Sequence, residues 1–109
     1  MNWLRNKKTV AVHDGNFHPD DVFSVAILSL YLGYVPKVIR TRDKNIINKA
    51  DYILDVGQEY DPVKNKFDHH SEGWNFKRSN GILYATCGLI WKEFGLKIAG
   101  SKEVFDIID

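Results

Sequence analysis

The sequence predicts an α/β fold, a three-layer α/β/α arrangement around a mostly parallel sheet. Short apolar runs rich in β-branched residues, typical of buried strands, alternate with longer runs at helical spacing. Their order is strand, helix, strand, helix, strand, which favours right-handed crossovers between parallel strands and helices on both faces of the sheet. With 109 residues, the chain has room for one core.

Five elements are predicted in the first half of the chain. A strand over residues 9–12, TVAV, ends directly at His13, and a helix over residues 20–33 follows a polar loop. This helix is apolar on most sides, which predicts a buried position. A second strand lies in PKVIRTR, a short helix lies in DKNIINKA with Asp43 as its N-cap, and a third strand lies in DYILDVG.

The second half of the chain contains fewer predicted elements. Residues 58–66 contain Asp61-Pro62 and predict a turn that leads into the extended piece KFDHH. After a polar loop, helical spacing returns in ILYATCGLIWKEFG. A last helix is predicted to begin near Ser101.

Composition excludes several classes of protein. Hydrophobic residues make up 44% of the chain and charged residues 27%, which is an ordinary globular mixture. Fifteen basic and fourteen acidic residues give a net charge of +1, so no global field attracts nucleic acid or anionic lipid. A polyanionic partner would therefore need a local attractor, such as a bound divalent cation.

Targeting signals and cysteine chemistry are not indicated by the sequence. No apolar signal core follows the basic start MNWLRNKK, and no run approaches the roughly 20 apolar residues of a membrane span. Cys87 is the single cysteine and lies in an apolar run, which favours a buried structural role. We therefore expect a cytoplasmic protein, or a mitochondrial or nuclear one if it is eukaryotic, with no membrane partner.

All four histidines lie in two short clusters that also contain aspartates. HDGNFH follows the first predicted strand, DVG ends the third, and DHH ends the extended piece. Because the carboxyl ends of parallel strands meet at one edge of a sheet, we expect these segments to converge there. The converging residues are His13, Asp55, Asp68, His69 and His70.

Imidazole and carboxylate groups together predict a site for divalent cations. These ligands suit Mn²⁺, Fe²⁺, Co²⁺ or Zn²⁺ better than the all-oxygen sites of Ca²⁺ and Mg²⁺. Several aspartates allow two cations, because one carboxylate can bridge two ions, and Asp55 is the candidate bridge. A pair of cations can share a hydroxide and stabilise both the attacking and leaving oxygens of a displacement at phosphorus.

Some polar residues near these clusters have simpler structural interpretations. Asp20 and Asp21 fall in the first turn of a helix, where acids interact favourably with the helix dipole, and we assign Asp21 this role alone. Asp14 is expected to face solvent or cap a turn. The loop 74–78 mixes aromatic and basic residues, as single-strand nucleic-acid platforms do, but a loop with packed aromatic residues is favoured.

Three motifs resemble those of a known family. In order they are HDGNFHPDD, DVGQEYDP and FDHH, and as a set they resemble the melanocyte-proliferating-gene family of the DHH phosphoesterase superfamily. The resemblance covers nearly the whole chain but only the amino-terminal part of the family. It implies that residues 1–109 form a DHH-type metal-binding phosphoesterase domain, incomplete and without the second, carboxyl-terminal domain.

The resemblance also implies a role for each site residue. His70 would face the substrate, and Asp68 would orient the histidine beside it. The superfamily has a further aspartate after DHH, for which Asp109 is the candidate. The implied metal ligands are His13 and His18 on one cation, Asp20 and His69 on the other, and Asp55 between them.

The function predicted on this basis is that of a metal-dependent phosphoesterase. It would cleave RNA or DNA phosphodiesters as a 3′–5′ exonuclease does, with a hydroxide activated by two divalent cations. Mn²⁺ is the first expectation, and Mg²⁺, Co²⁺, Fe²⁺ or Zn²⁺ are alternatives. A small-substrate phosphohydrolase acting on pyrophosphate or a dinucleotide, or an inactive metal-stabilised binding module, are the alternative functions. The expected partner is a nucleic acid or nucleotide substrate, and a homodimer is left open.

Overall fold

The computed structural model describes residues 7–109. Its strands and helices follow the predicted alternation, with two additional short elements before the last strand. They are β1 (Thr9–Val12), α1 (Pro19–Leu32), β2 (Lys37–Arg40), α2 (Lys44–Ile47), β3 (Tyr52–Leu54), β4 (Tyr60–Asp61), a 3₁₀ turn (Pro62–Lys64), β5 (Lys66–Phe67), α3 (Thr86–Ala99) and α4 (Lys102–Ile108).

The strands form one sheet in the order β2-β1-β3-β5-β4. All neighbouring pairs are parallel except β4 and β5, which are antiparallel. The predicted α/β class with a mostly parallel sheet is therefore confirmed. Since β1, β3 and β5 are parallel neighbours, the residues that follow them lie at the same edge of the sheet.

Helices cover both faces of the sheet, because successive residues of a strand point to opposite sides. Val10 and Val12 of β1 pack in one core with α1 and α3, whereas Ala11 packs in a second core with α2. The three-layer arrangement is thus confirmed. The first core contains Val10, Val12, Leu28, Tyr52, Leu54, Phe67, Leu89, Ile90 and Phe94, and the second contains Ala11, Ile47, Ile53 and Val56.

Helix α1 lies close to its predicted bounds but is less buried than expected. It ends at Gly33, whose φ of +82° places it in the left-handed region and whose N–H donates to the Ser29 carbonyl oxygen at 2.9 Å. Phe23 and Leu30 are 60% and 68% exposed, so the prediction of a buried helix is wrong. Only one face of α1 packs against α3 and the sheet.

Two segments of the second half differ from the prediction. Residues 58–66, predicted as a turn, contain β4, which pairs Tyr60 with Phe67 of β5. Residues 82–85, predicted as helical, precede α3, and Leu83 forms an isolated antiparallel bridge with Lys77. Both differences are backbone pairings between residues six or seven positions apart, which helical spacing does not report.

Asp43 is the N-cap of α2, and its Oδ1 accepts from the Asn45 N–H at 2.9 Å, as predicted. Cys87 is half-buried rather than fully buried. The aromatic side chains of loop 74–78 pack: the rings of Trp74 and Phe76 lie 5.9 and 5.7 Å from that of Tyr60.

Within residues 7–109, no helix combines the length and apolarity that crossing a membrane requires.

Candidate metal centre

The seven predicted site residues line one open cavity of about 510 Å³ at the carboxyl edge of the sheet. Three segments supply them: His13 directly follows β1, Asp55 directly follows β3, and the DHH segment directly follows β5. The start of α1 supplies the rest. Together the seven are His13, His18, Asp20, Asp55, Asp68, His69 and His70.

Among residues 7–109, potential ligand atoms converge in two groups that share Asp55. One group contains His13, Asp21 and Asp55, and the other contains Asp55 with the DHH segment, Asp68, His69 and His70. Within each group the ligand atoms lie within 4.8 Å of one another. This is the arrangement expected if Asp55 bridges two cations, although its bridging role stays a prediction.

His13 is buried and positioned with one nitrogen facing the carboxylates. Its Nδ1 lies 2.9 Å from the backbone oxygen of Asp14, which can accept a proton held there. The other nitrogen, Nε2, lies 2.8 Å from Asp21 Oδ2 and 3.4 Å from Asp55 Oδ2. A backbone carbonyl that fixes the tautomer in this way is a common feature of metal-ligating histidines.

Asp21 is a site residue that the sequence analysis did not identify. Its side chain is buried beside His13, and its Oδ2 also lies 3.4 Å from the His18 N–H, closing the first turn of α1. The assignment to the helix dipole alone is therefore incomplete. The adjacent acids of HPDD were an available signal, because neighbouring residues on a helix start point in different directions.

Asp20 points away from Asp21, towards the start of α3. Its Oδ1 accepts from the Cys87 N–H at 2.7 Å and its Oδ2 accepts from the Thr86 N–H at 3.3 Å. The same Oδ2 lies 3.4 Å from His69 Nδ1. The structure therefore brings Asp20 and His69 together, as their predicted pairing on one cation requires, and also explains why α3 begins at Thr86.

His18 lies at the rim of the cavity. It is the exposed N-cap residue of α1, and its ring centroid lies 5.3 Å from that of His13. Although it lines the cavity, it belongs to neither of the two groups of converging ligand atoms among the described residues. Its predicted role as a ligand beside His13 stays a prediction.

Asp68 holds the ring of His70. The Asp68 carboxylate is 1% exposed; its Oδ1 accepts from His70 Nδ1 at 2.6 Å, and its Oδ2 accepts from the Gln58 N–H at 2.7 Å. The Nδ1 proton of His70 therefore has an acceptor, and the half-exposed ring keeps Nε2 for a ligand. This contact is the geometry that the predicted orienting role of Asp68 needs.

Thr86 is a second residue that the sequence analysis missed. It is fully buried, its N–H donates to His69 Nδ1 at 3.0 Å, and its hydroxyl donates to Asp55 Oδ1 at 3.1 Å. Thr86 thus joins the DHH segment to the candidate bridging carboxylate. No local motif marks it, because its position depends on where α3 packs.

The electrostatics of the site favour a bound cation. Burial, and after it the negative charge of Asp20, raise the pKa of Asp55 from its ordinary value to about 6. Burial lowers the pKa of His69, which keeps its ring neutral and able to bind a metal. Among residues 7–109, the ion-pair partners of the four site carboxylates are all histidines. The donors therefore fit a divalent cation, which would compensate buried negative charge.

The backbone after β3 adopts an uncommon conformation. Asp55 and Gln58 both have φ of +58°, a left-handed region that non-glycine residues seldom occupy, and Gly57 has φ of +89°. Gly57 adopts this φ without steric cost because it has no Cβ. Non-glycine residues held in this region are concentrated at functional sites, where the surrounding structure stabilises them.

Asp109 lies away from these groups. Its carboxylate pairs with the guanidinium of Arg78, with Oδ2 3.1 Å from Nε, and it lines a separate cavity beside α1 and α3. In this structure Asp109 does not line the cavity of the candidate metal centre. The structure therefore does not bring it to the position that the superfamily pattern suggested.

The fold and this cluster define an α/β domain that can hold metal ions at the carboxyl ends of its parallel strands. Residues 9–106 match the family model MYG1_exonuc, which is described as an uncharacterised protein family (UPF0160). The chain belongs to this MYG1 family. The resemblance to the melanocyte-proliferating-gene family drawn from the three sequence motifs is therefore confirmed, whereas membership of the DHH superfamily stays a prediction.

Curated relatives share much of this chain but are considerably longer. The chain is 38% identical over 93 residues to the MYG1 protein of Dictyostelium discoideum, a match that covers 83% of the chain and 28% of that relative. It is 32% identical over 97 residues to the MYG1 exonucleases of Homo sapiens and Bos taurus, covering 82% of the chain and 26% of each relative. The chain thus spans less than a third of the length of these relatives. No solved structure matches it significantly.

Proposed function

We propose that this chain forms the metal centre of a phosphodiester hydrolase that removes nucleotides from RNA or DNA ends, as a 3′–5′ exonuclease. The observation that carries the proposal is Asp55, shared by two groups of histidine and carboxylate ligands in one open cavity. The name MYG1 exonuclease of the mammalian relatives supports it. The FDHH segment after β5 supports a DHH-type phosphoesterase.

Two divalent cations fit the donors of the site. Asp55 would lie between them, His13 with Asp21 would hold one, and His69 with Asp20 would hold the other. Mixed imidazole and carboxylate donors favour Mn²⁺ over the harder ions, with Mg²⁺, Co²⁺, Fe²⁺ or Zn²⁺ as alternatives. When bound, such ions supply an activated hydroxide and neutralise charge on the phosphoryl oxygens.

The residues of the chain account for the remaining requirements of hydrolysis. In the reaction, an oxygen from water joins phosphorus, the bond between phosphorus and the 3′ oxygen of the shortened strand breaks, and that oxygen takes up a proton. His70, whose Nδ1 donates to Asp68 at 2.6 Å, has Nε2 to hold or donate that proton. Asp68 keeps the ring in this orientation.

A comparison of site variants with a matched surface variant tests the proposal. Purified protein is incubated with Mn²⁺ and a 5′-labelled single-stranded oligonucleotide, and products are resolved by length. We expect Asp55→Asn and His69→Ala to lower the rate by at least about 100-fold, because each removes a ligand. Asp106→Asn, which removes an exposed carboxylate paired with Lys102, should retain wild-type activity.

The same assay separates the alternatives. Shortening from the 3′ end in single-nucleotide steps supports the exonuclease assignment. Hydrolysis of pyrophosphate or a dinucleotide without shortening of the oligonucleotide would replace it with a small-substrate phosphohydrolase. A wild type no faster than Asp55→Asn would overturn the enzymatic proposal and favour an inactive, metal-stabilised binding module.

A further inference from the structure

One positively charged side chain lines the metal cavity and has no part in the proposed metal centre. Arg42 is the one lysine or arginine that lines this cavity among residues 7–109. The remaining charged or titratable side chains of the lining are the histidines and carboxylates of the candidate centre. A guanidinium placed beside a phosphate-binding centre is suited to recognise phosphate oxygens, because its planar donors match them.

The backbone around Arg42 is fixed on both sides. The Thr41 N–H donates to the Val12 carbonyl oxygen at 2.8 Å, which extends the pairing of β2 with β1. The Asp43 N–H donates to Thr41 Oγ1 at 3.0 Å, and Asp43 caps α2. The side chain of Arg42 therefore begins from a rigid position at the end of β2.

A weak ion pair positions the Arg42 side chain and leaves two of its guanidinium nitrogens able to donate to a ligand. Its Nε donates to Asp14 Oδ1 at 2.8 Å, in a pair whose side chains are 67% and 57% exposed. Exposed pairs of this kind bind weakly, so the guanidinium can exchange or share its partner. Within the described part of the chain this is the hydrogen bond that Arg42 forms, which leaves Nη1 and Nη2 as donors.

The position of Arg42 distinguishes it from the metal ligands. It follows β2, which lies two strands from β3 in the sheet, a separation of about 10 Å at ordinary strand spacing. Its carboxylate partner is Asp14, which belongs to neither group of converging ligand atoms. Arg42 thus lines the cavity from the side of β2, apart from the ligand groups that share Asp55.

We propose that Arg42 binds the phosphate adjacent to the scissile one, so that the site selects substrates with at least two neighbouring phosphates. This inference rests on the proposed phosphodiesterase function and narrows its substrate class to oligonucleotides. A diester with a single phosphate would gain nothing from Arg42. Asp14 is a positioning residue that acts through the guanidinium.

Two substrates test the inference in the full chain with Mn²⁺. One is a single-stranded oligonucleotide, and the other is bis-p-nitrophenyl phosphate, which has one phosphate only. We expect Arg42→Ala to lower kcat/KM on the oligonucleotide by about 10- to 100-fold, mainly through KM, because a charged hydrogen-bonding group is lost. On the single-phosphate diester, kcat/KM should stay within twofold of wild type. Arg42→Lys, which keeps the charge but loses the fork of donors, should fall between the two.

Binding provides a second measurement that does not need turnover. Fluorescence anisotropy of the labelled oligonucleotide at several salt concentrations gives the slope of log K against log salt. One lost phosphate contact should reduce this slope by about 0.7 for a single strand. A merely structural role of Arg42 would not change it. Lys102→Ala, which removes an exposed cation paired with Asp106 at 2.6 Å, is the matched control and should leave the slope unchanged.

The outcomes separate this inference from the proposed function. An active wild type with an inactive Asp55→Asn variant, but equal losses for Arg42→Ala on both substrates, overturns the adjacent-phosphate assignment alone. No loss on either substrate and an unchanged salt slope does the same. A wild type without activity overturns the proposed function instead, and the anisotropy slope then still decides whether Arg42 binds phosphate.

Discussion

Among single residues, Asp55 combines three features that are unfavourable in the metal-free protein. The residue is 4% exposed, its backbone lies in the left-handed region, and burial together with Asp20 raises its pKa. Each of these features costs free energy in the metal-free protein. A bound cation would offset the electrostatic part, so the residue is destabilising without metal and stabilising with it.

Replacing the Asp55 carboxylate by an amide should therefore stabilise the metal-free protein at neutral and alkaline pH. The folded-state pKa is about 6, above the ordinary value of 3.8, so the folded state binds more protons between these values. Stability of the wild type then falls as pH rises from about 4 to 6 and stays lowered above 6. In metal-free protein at pH 8, Asp55→Asn should be more stable than wild type by up to about 3 kcal/mol, and the difference should vanish towards pH 4.

Urea unfolding at several pH values, after removal of metal, measures this difference. Asp106→Asn provides the control, since its carboxylate is exposed and paired with Lys102. An Asp55→Asn variant less stable than wild type at pH 8 would show the opposite balance. The hydrogen bond from the Thr86 hydroxyl would then be worth more than the buried charge costs.

Residue type and chain order were sufficient to predict most of this site. Histidines and aspartates that directly follow strands, such as His13 and Asp55, converge because parallel strands end together. Asp21 and Thr86 escaped prediction for different reasons. Asp21 has an adequate local explanation as a first-turn acid, which conceals its contact with His13. Thr86 reaches Asp55 only because α3 packs against α1, and no local pattern encodes that.

Among the helices, α4 is attached to α3 through the Trp91 ring, whose position requires a residue without a side chain at Gly95. The Trp91 ring stacks on Phe105 with centroids 5.6 Å apart and planes 12° from parallel, and its Nε1 donates to the Phe105 carbonyl oxygen at 3.1 Å. A Cβ added at Gly95 would lie 2.4–2.7 Å from three atoms of that ring. Gly95 therefore allows the ring to lie along α3 and hold α4.

We expect Gly95→Ala to destabilise the protein although alanine is the better helix former. The gain in helix propensity is about 1 kcal/mol, whereas overpacking costs about 1–3 kcal/mol, so the net loss should be up to about 2 kcal/mol. Chemical denaturation gives the change, and hydrogen exchange of the α4 amides should show faster opening. In a Trp91→Leu background the same substitution should become stabilising. If it stays destabilising there, the clash with the indole ring is not the cause.

Elements were predictable where their signals are local. The cap of α2 at Asp43 and the end of α1 at Gly33 follow from the chemistry of single residues. Strand β4 has two residues and exists only by pairing with β5, so its sequence has no periodicity to detect. The start of α3 is set by Asp20, a residue 66 positions earlier, which accepts from the Thr86 N–H.

In the molecule as a whole, the candidate metal centre connects segments that contribute to two separate hydrophobic cores. The two cores lie on opposite faces of the sheet, while the site draws from the ends of β1, β3 and β5 and the start of α1. A cation at Asp55 would therefore cross-link segments that are distant in sequence. Because the cation would bind only the folded state, it would stabilise the whole fold against unfolding.

Metal should consequently raise the melting temperature, with two ions per chain. At a free concentration about 100 times its Kd, each ion adds about 2.7 kcal/mol. At about 4–8 °C per kcal/mol for a domain of this size, a rise of 10 °C or more is expected in Mn²⁺ over chelated protein.

Elemental analysis of dialysed protein should give two ions for wild type and Asp106→Asn. His13→Ala should retain one, because the group around His69 keeps its ligands, and Asp55→Asn should retain fewer still. A single ion in wild type, or a chelator that leaves the melting temperature unchanged, would contradict a shared two-ion centre.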